Sequence, residues 1–206
     1  MILDTLPTGP LEVNCYIVGC EKTRKAVVID PGGNVSDILE KVQKHQLDVV
    51  MIINTHGHFD HIGGNRQLLE VTSAELLIHQ DDRQLMDLAL EHAAVYGLQT
   101  EASPPPTREL TGDEKLSVGE LSLHVIHTPG HSPGGICLYV DDCLLVGDTL
   151  FAGSIGRTDL PGGDHHLLIS GIKEKLLPLP DATRVCPGHG PMTTIGEEKQ
   201  HNPFLR

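Results

Sequence analysis

Three histidines and an aspartate stand close together in the segment Thr55–His61, which reads Thr-His-Gly-His-Phe-Asp-His. Imidazoles and carboxylates without a thiolate suit zinc, iron or manganese in a catalytic site rather than a structural one. In an extended stretch residues two apart share a face, so His56 and His58 can hold one ion. Asp60 and His61 fall where the chain turns towards a helix, and they can face a second ion. The segment therefore predicts a catalytic site for metal ions.

Three further candidate ligands occur later in the chain, each among glycine and proline residues. They are His131 in Thr-Pro-Gly-His-Ser, Asp148 in Gly-Asp-Thr, and His189 in Pro-Gly-His-Gly-Pro. Each follows a predicted strand, as the first segment does. We therefore expect all of these side chains to converge at one end of the sheets.

The elements that must position these ligands are indicated by β-branched segments that alternate with amphipathic ones. In the first half the predicted strands are Val13–Val18, Ala26–Ile29, Val49–Asn54 and Leu76–His79, and the predicted helices are Val35–His45, Gly63–Val71 and Asp82–Tyr96. A stiff Ser-Pro-Pro-Pro connector at 103–106 interrupts the pattern. In the second half the predicted strands are Leu121–His127, Ile136–Val140, Cys143–Val146 and Arg184–Cys186, with an Asp141-Asp142 hairpin turn, and the predicted helices are His165–Leu176 and Ile195–Gln200. Two β-rich halves, roughly 1–100 and 110–206, indicate two packed sheets with helices outside, within a single domain 1–206.

The composition limits the classes of partner. The 206 residues, 39% of them apolar, suit one domain with a sizeable core. No run approaches the ~20 apolar residues of a membrane span, and the N-terminus lacks a basic leader, so we expect a cytoplasmic protein. The net charge of −13 argues against nucleic acid and membranes as partners and favours a small-molecule substrate. No heptads or apolar stripe indicate assembly, so we expect a monomer or a homodimer.

The remaining cysteines and histidines are expected to play ordinary parts. Five cysteines without a Cys-x-x-Cys pair do not resemble a disulfide framework. Four of them are expected to be reduced and packed in strands, namely Cys15, Cys137, Cys143 and Cys186. Cys20 lies near a turn and is expected to be exposed. Surface or packing positions are expected for His79, His92, His124 and His201, whereas His127 is a candidate to support the metal ligands.

In order and type, the candidate ligands resemble those of the metallo-β-lactamase superfamily, and the resemblance covers nearly the whole chain. It implies a mixed α/β (α+β) fold, a four-layer αββα sandwich with a two-metal site at one edge. The ligands it implies are His56, His58 and His131 for the first ion, Asp60, His61 and His189 for the second, and Asp148 as a bridge between them. It also implies two divalent ions as cofactors, zinc first, with iron or manganese as alternatives.

The residue at position 148 and the loop after it indicate which group within the superfamily the chain resembles. The best-known class B lactamases carry cysteine where Asp148 stands, so the aspartate resembles the glyoxalase II group and disfavours β-lactam hydrolysis. We expect the chain to lack the helical C-terminal domain that completes the glutathione site of glyoxalase II, and so to resemble the short single-domain members. Glyoxalase II has lysine in place of Arg157 and an aromatic residue in place of Asp159. Arg157 is a candidate to bind a substrate carboxylate, and a pair with Asp159 or Asp164 is the open alternative.

The implied function is a dinuclear metal-dependent hydrolase acting on glutathione-type thioesters such as S-lactoylglutathione. Two ions ~3.5–4 Å apart can lower the pKa of a shared water from ~15.7 towards ~7, which gives a bridging hydroxide. Asp60 is the candidate catalytic residue because it could orient that hydroxide. A thiol with a pKa of ~8.5 leaves without a general acid, which favours thioesters over amides.

Alternatives stay open at this point. Persulfide dioxygenases share the Gly-Arg-Thr-Asp segment and use a single iron held by two histidines and an aspartate. Here those three residues would be His56, His131 and Asp148. Hydrolysis of lactones or other esters is a further possibility within the enzymes. A non-catalytic metal-binding module is the competing class, and it would show no turnover despite full metal loading.

Overall fold

The computed structural model describes residues 1–206 and contains two six-stranded β-sheets that pack face to face. The first sheet follows chain order, with β1–β2–β3 antiparallel and β3–β4–β5–β6 parallel. Its strands are β1 Ile2–Thr8, β2 Val13–Gly19, β3 Lys25–Ile29, β4 Asp48–Ile53, β5 Glu75–His79 and β6 Arg108–Leu110. Because β3, β4 and β5 are parallel, their carboxyl ends lie at the same edge of the sheet.

The second sheet has the order β14–β13–β10–β9–β8–β7, with β10 and β13 parallel and the other neighbours antiparallel. Its strands are β7 Lys115–Val118, β8 Leu121–His127, β9 Ile136–Val140, β10 Cys143–Gly147, β13 Arg184–Pro187 and β14 Thr193–Thr194. A separate short hairpin is formed by β11 Leu150–Phe151 and β12 Ser154–Ile155. The turn between β9 and β10 is the predicted Asp141-Asp142 pair, with Asp141 at a left-handed φ of 51°.

Helices cover the outer faces of both sheets and complete the predicted αββα sandwich. They are α1 Val35–Lys44, α2 Phe59–Ile62, α3 Asn65–Val71, α4 Arg83–Asp87, α5 Ala89–Val95, α6 His165–Gly171 and α7 Ile195–His201. In α1 the apolar residues Val35, Ile38 and Val42 share one buried face, which packs on the first sheet together with Leu68 of α3. No helix of the chain is long and apolar enough to cross a membrane.

The core between the sheets follows the two-residue period of the strands. In β9, Ile136, Leu138 and Val140 face the first sheet, whereas Cys137 faces the outer helices. The second sheet is thus apolar on both faces, because α6 and the π-helical turn Ile172–Leu176 bury its outer side. This rigid double layer holds the loops at the strand ends in place.

The predicted helix over Asp82–Tyr96 is wrong in its bounds. A 3₁₀ turn at Gln80–Asp82 precedes α4, and the chain leaves helical geometry at Leu88 before α5 begins. The second segment turns so that Ala89 and Ala93 pack with Phe59 of α2. The predicted helix Gly63–Val71 likewise begins at Asn65 and is preceded by α2, which the sequence pattern missed.

The cysteines differ from the expectation at one position. All five are free and buried, as predicted for Cys15, Cys137, Cys143 and Cys186. Cys20, expected to be exposed, is only 3% exposed. It follows the end of β2, where its sulfur accepts a hydrogen bond from the backbone N–H of Glu120, at the turn before β8. Packing of that turn against the end of β2 therefore covers the thiol.

Candidate metal centre

The seven candidate ligands lie at one end of the sandwich, in loops that leave both sheets. The loop after β4 carries His56 and His58 and continues into α2, which begins at Phe59 and contains Asp60 and His61. The remaining three lie in loops of the second sheet: His131 between β8 and β9, Asp148 after β10, and His189 after β13. Strand ends from two packed sheets thus bring together residues that are far apart in sequence.

The first set of donors consists of His56, His58 and His131, whose ligand atoms all lie within 4.8 Å of one another. Nε2 of His131 is 2.9 Å from Nδ1 of His58 and 3.3 Å from Nε2 of His56. Each of these rings therefore presents a nitrogen to a common point. Such convergence of imidazoles is the arrangement that a zinc or iron ion requires.

The second set consists of Asp60, His61 and His189, and Asp148 lies between the two sets. Nε2 of His189 is 3.2 Å from Oδ2 of Asp60, and Nε2 of His61 is 3.6 Å from the same oxygen. Oδ1 of Asp148 lies 3.5 Å from His61, whereas Oδ2 lies 3.7 Å from Nε2 of His131. Oδ2 also lies 3.9 Å from Nε2 of His189, so the carboxylate of Asp148 is close to donors of both sets.

Two buried polar atoms indicate that the site fits a bound cation. Nε2 of His61 and Oδ1 of Asp148 are buried and have no hydrogen-bond partner within the protein. Buried polar atoms without a partner are rare, because each costs about 1–3 kcal/mol. Both atoms face the space between the donor sets, and a metal ion there would satisfy them.

The protonation states of the buried histidines also indicate that the site fits a bound cation. Burial and the neighbouring imidazoles hold the pKa of His56 well below its usual value and lower that of His58 to about 3. Both rings are therefore neutral and can donate a lone pair. Burial alone would lower the pKa of His61, but three nearby carboxylates, Asp60 foremost, raise it to about 10. This part of the site therefore attracts positive charge, and a divalent ion can supply that charge in place of a proton.

Hydrogen bonds behind the ligands orient two of the imidazoles. Oδ2 of Asp30 lies 3.0 Å from Nδ1 of His61, and the same carboxylate accepts hydrogen bonds from the backbone N–H and the hydroxyl of Thr55. The carbonyl oxygen of Arg157 lies 2.9 Å from Nδ1 of His131. In both rings Nδ1 carries the proton, which leaves Nε2 free for a metal. The sequence analysis did not identify Asp30; its position directly after β3, in an Asp-Pro-Gly turn, is the signal that could have revealed it.

A second buried carboxylate, Asp82, joins the two loops that carry the first set of donors. It is fully buried and accepts hydrogen bonds from the N–H of Gly57 at 2.9 Å, the hydroxyl of Ser132 at 2.7 Å and the N–H of Gly134 at 2.6 Å. Gly57 stands between His56 and His58, and Ser132 follows His131. Asp82 thus fixes the spacing of those ligands without belonging to them. No sequence signal marked it beyond its place after β5.

The loop of His189 is held by residues of the opposite sheet. The side chain of Asn14 donates to the carbonyls of Pro187 and Gly190, and its backbone N–H donates to the carbonyl of Gly188 at 2.7 Å. The hydroxyl of Tyr16 donates to the carbonyl of Pro187 at 2.8 Å. A methyl group on Gly188 would stand 2.3 Å from Oδ1 of Asp148, so only glycine lets this loop approach the bridge.

The metal centre forms the floor of a cavity of about 360 Å³. Leu85, Val95 and Tyr96 line one wall, formed by α4, α5 and the residue after them. His92 also lines this cavity, so its predicted role as an ordinary surface or packing residue is incomplete.

Arg157 lines the cavity too, but its guanidinium is paired. Its Nε and Nη2 each donate to a different oxygen of Asp159 at 2.8 Å, which was the alternative considered for this residue. The carboxylate raises the pKa of Arg157, and the pair lowers that of Asp159 to about 2. A role for Arg157 in binding substrate stays a prediction, and an anionic group would have to compete with Asp159.

Other histidines outside the donor sets contact one another rather than the metal ligands. The rings of His79 and His127 stack with their centroids 4.1 Å apart and an angle of 13° between their planes. Nε2 of His127 lies 3.0 Å from the carbonyl of Pro133, two residues after His131. His127 therefore braces the loop of that ligand, in keeping with the supporting role expected for it.

Comparison with known proteins gives the family of the chain. The family model described as the metallo-beta-lactamase superfamily matches residues 8–189. Among curated relatives, the probable metallo-hydrolase YqgX of Bacillus subtilis is 39% identical, over 97% of this chain and 95% of its own length. The hydroxyacylglutathione hydrolase GloC of Haemophilus influenzae is 35% identical, over 100% of this chain and 98% of its own length.

Solved structures agree with the observed fold. BLEG-1, described as a B3 metallo-beta-lactamase, superposes with a TM-score of 0.93 at 40% identity, covering 99% of both chains. TTHA1623 in a di-iron-bound form gives a TM-score of 0.89 at 40% identity, covering 100% of both chains. ETHE1 from Myxococcus xanthus gives 0.83 at 30% identity, covering 98% of this chain and 84% of its own. The family match runs through every one of the seven converging residues, and the chain belongs to the metallo-β-lactamase superfamily.

Proposed function

We propose that the chain is a metal-dependent thioesterase that hydrolyses glutathione-type thioesters such as S-lactoylglutathione with water as the nucleophile. The observation that carries this proposal is the lining of the cavity. It contains five of the seven candidate ligands, together with His92, Arg157 and aromatic and apolar side chains, but no serine, threonine, cysteine or lysine. The cavity therefore offers no hydroxyl, thiol or amine nucleophile of the serine, threonine, cysteine or lysine type, which favours direct attack by water on the substrate.

The donor sets account for how water would become reactive. Two divalent ions, held by the residues described above with Asp148 between them, would supply a hydroxide at neutral pH and polarise the substrate carbonyl. Asp60 faces the cavity from the second set, and its neighbouring histidines hold its pKa below the usual value despite its burial. It is therefore ionised and can accept a hydrogen bond from the attacking water, which orients the water towards the carbonyl carbon.

The leaving group favours thioesters over amides. A departing thiolate, with a thiol pKa of ~8.5, needs no proton donor near neutral pH, whereas an amine leaving group does. The ring nitrogens of the ligand histidines would be occupied by bound metal ions and would not donate protons, which leaves His92 as the one imidazole of the cavity outside the donor sets. The relationship to GloC, itself named a hydroxyacylglutathione hydrolase, supports glutathione thioesters as the first class to test.

A second candidate function is persulfide oxidation at a single iron, and one specific observation favours it. His56, His131 and Asp148 converge in this chain, and they form the two-histidine, one-carboxylate arrangement that suits oxygen-activating iron. The second donor set would then have no role.

The experiment that separates these candidates is metal analysis combined with two activity assays. We expect two ions per chain after purification without chelator, and release of free thiol from S-lactoylglutathione that is lost when Asp148 is replaced by alanine. One iron per chain, with oxygen uptake in the presence of a glutathione persulfide and no thiol release, would overturn the proposal in favour of the dioxygenase. Full metal loading without either activity would instead support the hypothesis that the chain is a non-catalytic metal-binding module.

A further inference from the structure

The cleft above the metal centre is walled by apolar side chains that are exposed without an obvious structural reason. Leu11, in the turn between β1 and β2, is 43% exposed, Val95 is 82% exposed and Tyr96 is 51% exposed. All three line the cavity, together with Leu85 and Leu160. An apolar rim around a concave site usually marks a surface that a ligand covers.

The wall of the cleft offers no unpaired basic side chain to a charged ligand. Apart from histidines, Arg157 is the only basic side chain in the lining, and Asp159 accepts hydrogen bonds from its Nε and Nη2 and balances its charge. Bound metal ions would offset the carboxylates of Asp60 and Asp148 on the floor, so beyond the ions the wall determines how charge is received. There, an anionic group would have to compete with Asp159 for Arg157.

From these two observations we propose that the cleft binds the acyl part of the thioester, and that it selects acyl groups that are uncharged and longer than lactoyl. This inference rests on the proposed thioesterase function. Glutathione carries two carboxylates, so the thiol part of such a substrate faces solvent, and the acyl chain is the part that can be buried. A cavity of about 360 Å³ lies within the range of small-molecule sites and exceeds what a two- or three-carbon acyl group fills.

The test is a series of glutathione thioesters that differ only in acyl length, namely acetyl, propionyl, butyryl, hexanoyl and octanoyl, with the lactoyl thioester, which adds a hydroxyl group, measured beside them. Each buried methylene contributes ~0.8 kcal/mol, so we expect kcat/KM to rise about fourfold per methylene until the cavity is filled. Because this binding is the same in the ground and transition states, the change should appear in KM rather than in kcat. A flat or falling series, with acetyl and lactoyl thioesters still hydrolysed, would overturn the inference and leave the thioesterase intact. No hydrolysis of any member would overturn the proposed function itself.

Rim variants locate the effect in the cleft. Val95→Ser and Leu11→Ser should each flatten the dependence of kcat/KM on acyl chain length. Val71→Ser is the matched control, because Val71 is also exposed, at 61%, but lies at the end of α3 outside the cleft. Equal slopes in the rim variants and the wild-type protein would refute a role for the rim.

A charged acyl group tests the pairing of Arg157. The wild-type protein should hydrolyse a glutaryl thioester at least tenfold less efficiently than the pentanoyl thioester of equal length. Asp159→Asn removes the charged partner, so Arg157 can bind the terminal carboxylate, and the discrimination should shrink. Wild-type hydrolysis of both substrates with equal kcat/KM would contradict an acyl site that excludes charge.

Discussion

Replacement of Asp82 by asparagine is expected to weaken binding of the first metal ion while the fold persists. The carboxylate has three hydrogen-bond donors: Gly134 N–H at one oxygen, and Gly57 N–H with the hydroxyl of Ser132 at the other. An asparagine of the same shape keeps one oxygen and places an NH₂ group at the other position. Whichever way the amide turns, one buried backbone N–H loses its partner.

The magnitude follows from that single loss. A hydrogen bond to a charged group contributes about 1.5–3 kcal/mol, and burial already raises the pKa of Asp82, so removing its charge recovers part of the cost. We expect a net penalty of about 2 kcal/mol, divided between stability and the alignment of the two ligand loops. Substitutions of residues that support metal ligands typically lower affinity 10–100-fold, which agrees with this value.

The assay is competition for Zn²⁺ with a chromophoric chelator, which resolves the two binding steps. The first donor set, His56, His58 and His131, should lose about 10–100-fold in affinity, while the second set binds as in the wild-type protein. Asp87→Asn is the matched control, since that carboxylate at the end of α4 is 59% exposed and pairs with Arg83. A lower Tm with unchanged affinity at both steps would refute the reasoning and make Asp82 a purely structural residue.

Three other perturbations have distinct expected outcomes. Asp148→Ala should remove at least one ion per chain, measured by elemental analysis, because its oxygens face both donor sets; retention of two ions would refute the bridge. Gly188→Ala places a methyl group 2.3 Å from Oδ1 of Asp148, so we expect at least a tenfold loss of kcat with reduced metal content, and wild-type values of both would show that the loop adapts. Asp4→Asn tests a pH effect on the free energy of unfolding. Partial burial would raise the pKa of Asp4, but hydrogen bonds from Lys41 at 2.6 Å and His45 at 2.9 Å hold that pKa below its usual value. A lowered carboxyl pKa stabilises the fold at pH values above the ordinary pKa of ~4. The free energy of unfolding of the variant should therefore be about 0.2–1 kcal/mol lower at pH 7 and equal to that of the wild-type protein well below pH 4. A pH-independent difference would exclude this ion pair as the cause.

The sequence predicted the parts of the fold that carry strong periodic signals. Strands such as Ile136–Val140 and the helix at Val35 occur nearly where they were expected, because burial on both faces of a sheet or on one face of a helix leaves a clear pattern. Short edge strands escaped prediction. β6, Arg108–Leu110, has only three residues and forms because β5 offers it a parallel partner. Because that pairing joins residues far apart in the chain, it produces no periodic hydrophobic pattern in the sequence.

The candidate ligands were predictable for a different reason. Each lies in a glycine-containing segment that follows a strand, so residue type and position indicated the same site. The supporting carboxylates could not be predicted in this way. Asp30 and Asp82 are single aspartates, and their role depends on partners 25 or more residues away. Pairing of Arg157 with Asp159 was weighed only as an alternative, because sequence gives proximity but not which partner a flexible side chain selects.

The division of the ligands between the two sheets has a mechanical consequence. Four come from the loop and helix that follow β4, and three from loops of the second sheet, so bound ions would connect the two halves of the sandwich at one edge. Unfolding of either half would release the ions, and binding to the folded state alone adds about 2.7 kcal/mol when free metal is at a hundred times its Kd. The site that would activate water would then also stabilise the contact between the two halves of the sandwich. Depletion of metal would therefore lower the free energy of unfolding as well as abolish activity.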